Sequence, residues 1–229
     1  MKNLVVLTGA GISAESGLKT FRDANGLWEG HDVMSVASPE GFRANPELVL
    51  EFYNQRRRQL LEVKPNSAHF ALATLEKQYK VSIITQNVDD LHERAGSEQV
   101  IHLHGELKKV RSAKDESLVY LLNGWELKWG DVCELGSQLR PHIVWFGEAV
   151  PMMNRAADIM QKADIVAVIG TSLQVYPAAG LIHYAASDIK KYYLDPKAAT
   201  ILGVTNLYCI KEKAASGIET LKTQLFQLL

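Results

Sequence analysis

Apolar residues in this 229-residue chain gather in short runs separated by longer amphipathic stretches. The runs are Leu4–Thr8, Val81–Thr85, Ile143–Phe146, Ile165–Gly170, Lys191–Leu194 and Asn206–Ile210. β-branched and aromatic residues between turn formers predict strands there. Pro65–Tyr79 sets Ala68, Ala71, Leu72 and Leu75 at helical spacing, and Pro46–Leu61, Met152–Lys162, Tyr176–Ala186 and Ala214–Leu229 also read as helices. Buried strands alternating with helices predict an α/β fold: a Rossmann-like parallel sheet with helices on both faces. Two stretches break the alternation and are too long for plain connections. They predict a smaller inserted module, residues 30–63 and 106–140, beside the Rossmann-like part of residues 1–29, 64–105 and 141–229.

Composition narrows the class. Net charge is −1 and the longest basic run is Arg56-Arg57-Arg58, so no nucleic-acid footprint is expected. No apolar stretch reaches the roughly 18 residues of a membrane span. A strand begins within a few residues of Met1, so no leader is expected and the cytoplasm is the default compartment. Two cysteines, Cys133 and Cys209, make neither a disulfide framework nor a four-cysteine zinc site.

The chemistry clusters at the ends of the strands. Gly9-Ala10-Gly11-Ile12-Ser13-Ala14 follows the first strand, with Ala14 at the third position of a dinucleotide fingerprint and Ser13 or Ser16 as a helix cap. Alone this motif is weak. Phe21-Arg22-Asp23 suits a flap over a ligand, or a surface ion pair. The next strand waits until Val81, which counts against an ordinary dehydrogenase. That strand ends in Gln86-Asn87-Val88-Asp89-Asp90, where an amide suits a carboxamide or ribose, or an aspartate caps the next helix. His102 and His104 stand before Gly105, and a histidine base fits proton abstraction from a ribose hydroxyl. Val144 to Phe146 lines a tunnel or packs the core, with core the better reading for Trp145. Gly170-Thr171-Ser172 offers a second cradle or a helix cap.

In this order, Gly-Ala-Gly-Ile-Ser from Gly9, Phe21-Arg22-Asp23, Gln86-Asn87-Val88-Asp89, His102-Leu103-His104-Gly105, Phe146-Gly147-Glu148 and Gly170-Thr171-Ser172 resemble the sirtuins over nearly the whole length. The resemblance implies an NAD-dependent protein lysine deacylase. Gly9, Ala10, Gly11, Ile12, Ser13 and Glu15 would cradle the NAD phosphates, with Gly170, Thr171 and Ser172 opposite. Phe21, Arg22 and Trp28 would belong to a cofactor loop. Asn87 and Asp89 would hold the nicotinamide, Gln86 the ribose, and His104 would be the general base. Asp195 would meet the adenosine ribose, where the family more often has asparagine, and Ala214 would lie near the adenine. Val144 and Phe146 would line the path of the acylated lysine of a partner protein.

Tyr53 and Arg56 match the Tyr-x-x-Arg of sirtuins that remove succinyl and malonyl groups. On a helix these positions share a face, and a guanidinium beside a phenol binds a carboxylate. Ala37 matches the small residue that widens that pocket. Deacetylation remains the alternative main activity. The family's two zinc-binding cysteine pairs are missing: the insert holds only Cys133, and Ser112 stands where the first cysteine belongs. No zinc is expected, and the insert is expected to pack around Tyr120, Leu121, Leu122, Trp125 and Trp129. The implied reaction transfers the acyl group to ADP-ribose and releases nicotinamide and free lysine. An ADP-ribosyltransferase, an NAD glycohydrolase, a non-catalytic NAD-binding module and a hydride-transfer enzyme remain as rivals.

Overall fold

A computed structural model describes residues 1–19 and 27–229. The predicted Phe21 and Arg22 lie outside the described residues.

The main sheet has six strands, all parallel. Its centre is β1 (Asn3–Thr8), paired with β4 (Lys80–Thr85) on one side and β9 (Ile165–Ile169) on the other. Beyond β4 lies β5 (Val100–His102); beyond β9 lie β10 (Lys190–Leu194) and β11 (Leu207–Ile210). The side chains of β1 alternate between two cores, as the strand period of two requires. Leu4 and Val6 join Leu72, Leu75, Ile218 and Leu221, from α5 (Ser67–Leu75) and α8 (Ala214–Phe226). Val5 and Leu7 join Met160, Leu181 and Ile182, from α7 (Met153–Gln161) and a 3₁₀ helix (Ala178–Tyr184). Burial on both faces explains the unbroken apolar runs.

Successive strands leave β1 first toward β4 and later toward β9. The topological switch therefore lies between β1 and β9, and a crevice opens at their carboxyl ends. The helix predicted after β1 is a single turn, α1 (Gly11–Ala14), with no side-chain cap. Ser13 and Ser16 are engaged elsewhere, and Ala14 is exposed instead of packed under the strand. Ile12 fills the buried position.

The remaining elements build a second layer. A short hairpin, β2 (Leu27–Trp28) and β3 (His31–Asp32), leads to α2 (Val33–Val36), α3 (Pro39–Ala44) and α4 (Pro46–Glu62). Ser38 and Asn45 cap α3 and α4, each followed by proline at the first helical position, so both boundaries are set by sequence. One turn, α6 (Leu91–Arg94), follows β4. A three-stranded antiparallel sheet, in the order β7-β6-β8, contains β6 (Gly105–Ser112), β7 (Val119–Leu121) and β8 (Leu139–Ile143). The predicted strand through Phe146 thus ends at Ile143.

The insert packs differently from the expectation. Trp129 and Leu121 are exposed, and the small core is Leu50, Val110 and Leu127 with Tyr120, Leu122 and Leu139 against it. The rest is a polar clasp from α4. Asn54 Nδ2 donates to Leu127 O (3.1 Å), and its Oδ1 accepts from Leu127 N (2.9 Å). Arg57 donates to Asn54 Oδ1 (2.7 Å), Leu107 O (2.8 Å) and Trp125 O (3.2 Å). Arg58 lies over the Trp125 ring, 3.7 Å from its centroid. Glu148 ties Arg140 (2.6 Å) to Arg111 (3.2 Å) at the other side of the sheet. Cys133 Sγ donates to Ser112 Oγ, at 3.5 Å. Among the described residues no group of three or more His, Cys, Asp or Glu side chains could hold a metal ion. No described helix is long and apolar enough to cross a membrane.

Candidate active site

The turns after β1 and β9 close on each other. Gly9 N donates to Ile169 O (3.1 Å) and Gly11 N to Gly170 O (2.7 Å). A Cβ on Gly11 would stand 2.8 Å from Gly170 Cα, and one on Gly9 would stand 2.6 Å from Thr171 Cβ. Glycine is therefore demanded by close backbone approach. Ala10 is exposed at the rim of this cradle. Across from it, Ser172 Oγ is buried and has no hydrogen-bond partner among the described residues. A phosphate oxygen would satisfy that hydroxyl, so this edge fits a dinucleotide.

The turn is held from below. Asn66, the cap of α5, donates from Nδ2 to Ile12 O (2.8 Å) and Ser16 Oγ (2.9 Å). Its own N–H donates to His69 Nδ1 (3.3 Å), and the His69 ring lies edge-on to that of His92, with centroids 4.9 Å apart. His92 Nε2 bonds Thr8 Oγ1 (3.1 Å), which donates to Thr85 Oγ1 (2.8 Å). Burial lowers the His69 pKa to about 4, and burial with the neighbouring histidine charges lowers that of His92 well below the usual value.

After β4 the polar residues meet the cradle. Ser13 Oγ donates to Asp89 Oδ2 (3.0 Å) and accepts from Asn87 Nδ2 (3.1 Å). Burial raises the Asp89 carboxyl to about 6, against bonds from Leu91 N–H and Ser13. Asp89 thus both caps α6, through Leu91 N at 3.2 Å, and faces the cradle serine. Gln86 Nε2 donates to Thr171 Oγ1 (3.1 Å), bridging β4 to β9.

The two histidines divide. His102 Nδ1 bonds Asn87 O (3.0 Å) and Nε2 bonds Glu93 Oε1 (2.7 Å). Burial lowers its pKa, but the Glu93 carboxylate outweighs that and raises it overall. His104 Nδ1 bonds Gln86 O (2.9 Å), and burial lowers its pKa despite that bond. A nitrogen facing a carbonyl must carry the hydrogen, so the other nitrogen of His104, Nε2, is an acceptor in the neutral ring.

The remaining expected residues fall around this edge. Val144 N donates to His104 O (2.9 Å), and Phe146 N to Ala37 O (2.9 Å), which ties the strand exit to the buried Ala37. Phe146 is exposed and Val144 partly so. Tyr53 is fully buried, and its hydroxyl accepts from Trp145 Nε1 at 2.9 Å. Burial pushes the phenol far above its ordinary pKa. Trp28 packs edge-on against Phe52 (5.0 Å) and Tyr53 (6.4 Å). Arg56, one turn beyond Tyr53, pairs with Glu29 at 2.8 Å. Glu15 Oε2 accepts from Ala215 N (2.7 Å) and so caps α8 beside the buried Ala214. Asp195 Oδ1 accepts from Lys197 N (2.8 Å) in the turn after β10.

Sequence reasoning missed Asn66, Glu29 and the Tyr53–Trp145 bond. Asn66 after Pro65 was readable as a cap, but nothing in its spacing pointed to Ile12. Glu29 carries no motif at all.

Comparison with known proteins now identifies the family. The Sir2 family profile matches residues 9–177. An NAD-dependent protein deacylase of Helicobacter pylori (strain ATCC 700392 / 26695) is 60% identical over 230 residues, covering 100% of this chain and 99% of its own length. One of Bacteroides thetaiotaomicron is 54% identical, with 98% of each chain covered. Among solved structures, a Sir2 homologue bound to NAD has a TM-score of 0.85 at 38% identity, covering 99% of this chain and 90% of its own. A mutant Sir2 homologue bound to ADP-ribose has a TM-score of 0.89 at 37% identity, with 99% and 93% covered. The chain belongs to the Sir2 family.

Proposed function

We propose that this chain is an NAD-dependent protein lysine deacylase acting on acylated lysine side chains and yielding nicotinamide, O-acyl-ADP-ribose and free lysine. The observation that carries this is one continuous edge: Gly9 to Ser13, Gln86 to Asp89, His104 and Gly170 to Ser172 face a common crevice in a Sir2 chain. Its similarity to curated NAD-dependent protein deacylases supports the same reading.

NAD, consumed in the reaction, would supply an electrophilic anomeric carbon. The glycine cradle and the free Ser172 hydroxyl would hold its phosphates. Asn87 and Asp89 would orient the carboxamide, and Gln86 the ribose. Neutral His104 would accept a ribose proton at Nε2; its lowered pKa keeps that base free at neutral pH. Holding both substrates in line and dry is the larger part of such catalysis. Asp195 and Ala214 would meet the adenosine end, and Phe21 and Arg22 would close over it.

Tyr53 and Arg56, with Ala37, would receive the acyl group, and Val144 and Phe146 the lysine stem. Succinyl and malonyl are the acyl groups this pair suits best. The same proposal divides the chain into an NAD-holding part (residues 1–29, 64–105 and 141–229) and an insert that functions without zinc. It also sets the enzyme in the cytoplasm, with neither nucleic acid nor membrane as a partner.

The test is a matched assay: NAD with one lysine peptide carrying acetyl, malonyl or succinyl, products weighed by mass spectrometry. Deacylation with O-acyl-ADP-ribose is expected, lost in His104→Ala while NAD still binds. Cleavage of NAD without deacylation would favour an ADP-ribosyltransferase or NAD glycohydrolase instead. One equivalent of tightly bound zinc in the purified protein would refute the zinc-free insert.

A further inference from the structure

The acyl pocket already contains a carboxylate. Arg56 Nη1 lies 2.8 Å from Glu29 Oε1, with only 13% and 14% of the two side chains exposed. The other Glu29 oxygen lies 3.2 Å from Lys19 Nζ, on an exposed lysine. The Arg56 guanidinium also faces the Phe52 ring, 5.3 Å from its centroid. Glu29 thus meets the one cation expected to read an acidic acyl chain.

Its backbone makes this notable. Glu29 and Gly30 form the turn between β2 and β3, at φ 52° and 82°. Two-residue hairpins with both central residues at positive φ favour asparagine or aspartate before glycine. Glutamate bears conformational strain there without helping the turn. What it brings is length: its carboxylate reaches α4, which a shorter side chain would not do.

We infer that Glu29 is a specificity-determining residue of the acyl pocket: an internal carboxylate that occupies Arg56 until an acidic acyl group displaces it. The inference rests on the acyl-lysine reading proposed above. A neutral acyl chain has nothing to offer Arg56, so it enters with the Glu29–Arg56 pair intact. A succinyl or malonyl chain brings a second carboxylate to the same guanidinium, and like charges at that distance repel. Its affinity is therefore reduced by the fraction of time Arg56 is engaged. A partly exposed ion pair of modest worth gives roughly a five-fold reduction. Glu29 sets how far the enzyme favours acidic over neutral acyl groups.

The experiment compares kcat/KM for succinyl-lysine and acetyl-lysine versions of one peptide at saturating NAD, in the unaltered enzyme, Glu29→Gln, Glu29→Asn, Arg56→Met and Glu29→Gln/Arg56→Met. Glu29→Asn suits the turn and removes the carboxylate, so it guards against a folding defect. The succinyl-to-acetyl ratio is expected to rise about five-fold in both Glu29 variants, through KM. It should fall in Arg56→Met, where adding Glu29→Gln changes nothing further. A ratio unmoved by either Glu29 variant, while Arg56→Met still lowers it, would overturn this inference alone. That result would follow if the acidic chain used Arg56 Nε, which is buried without a hydrogen-bond partner among the described residues, and left Glu29 in place. A ratio unmoved by Arg56→Met would overturn the acidic-pocket reading and this inference together.

Discussion

Asn54 sits on α4 with 4% of its surface exposed, its amide pairing with both the N–H and the C=O of Leu127, itself 1% exposed. Asn54→Ala would strand both backbone groups and remove one of the three acceptors of Arg57, whose guanidinium is also buried. A stranded buried polar group costs about 1–3 kcal/mol, more where a charge is involved. The total comes to about 4 kcal/mol, which for a chain of this size lowers the melting temperature by about 10 °C. Arg58→Ala is the control: it removes a half-exposed stack on Trp125 and should cost about 1 kcal/mol or less. Thermal and urea unfolding read the global loss, and limited proteolysis between residues 113 and 138 reads local opening of the insert. An Asn54→Ala protein that melts within about 2 °C of the unaltered chain and resists protease equally would refute the clasp as what holds the insert.

Other outcomes are equally specific. Acid should destabilise the protein well above the carboxylate range. His69 titrates near 4 in the fold because it is buried, against about 6.5 unfolded, so the unfolded chain takes up a proton that the native one refuses. Nothing is lost above about pH 6.5; by pH 4 His69 alone removes about 3 kcal/mol, and His92, His104 and His142 act in the same sense, against the raised His102 and the raised Asp89 carboxyl, which takes up a proton in the fold near pH 6 and offsets part of the loss. Urea midpoints that match at pH 7.5 and pH 5 would contradict this. Gly11→Ala should weaken NAD binding at least about tenfold by calorimetry, because its Cβ meets the Gly170 backbone at 2.8 Å; unchanged binding would refute the cradle. The acid limb of kcat should fall below pH 6.5, since burial lowers His104; a limb above 7 would remove it as the base.

What the chain reveals by pattern depends on how each part is buried. Strands β1, β4 and β9 are covered on both faces, so they read as apolar runs, and the glycines and amides at their ends mark the crevice. Sheet β7-β6-β8 does not show this way. Its buried positions include Arg111, Ser112 and Arg140, polar side chains made tolerable by specific hydrogen bonds and ion pairs, such as those of both arginines to Glu148, that no hydrophobic periodicity records. Reading Trp129 and Leu121 as core followed residue type, yet both face outward while Leu127 is drawn in by a backbone pairing with Asn54. Glu15 reads as a cradle residue from its place beside the glycines, and its bond to a helix N-terminus brought up from the other end of the chain has no signal in the local pattern. The Glu29–Arg56 pair depends on a turn and a helix meeting, which no local periodicity records.

The same logic applies to Glu148, which links the insert to Trp145 and, through its indole, to Tyr53. It bonds Arg140 and Arg111 and accepts from Trp145 N (2.8 Å). Burial alone would raise its carboxyl, but the Arg140 bond, the Trp145 N–H and the two positive charges hold it below the usual range. Arg140 lies 3.3 Å from the centroid of the Trp145 ring, and that indole donates to Tyr53. Glu148→Gln leaves two largely buried guanidiniums facing each other with their shared charge gone. Breaking a buried pair from one side costs about 3–5 kcal/mol, whereas removing the charges together, with apolar residues in place of the arginines, leaves no uncompensated buried charge. Glu148→Gln should therefore destabilise the chain more than the triple change Arg111→Met, Arg140→Met, Glu148→Gln, in urea unfolding at pH 7.5. If the triple variant proves the weaker protein, the cluster contributes net stability of its own, and the charge balance around Glu148 is not what this part of the fold depends on.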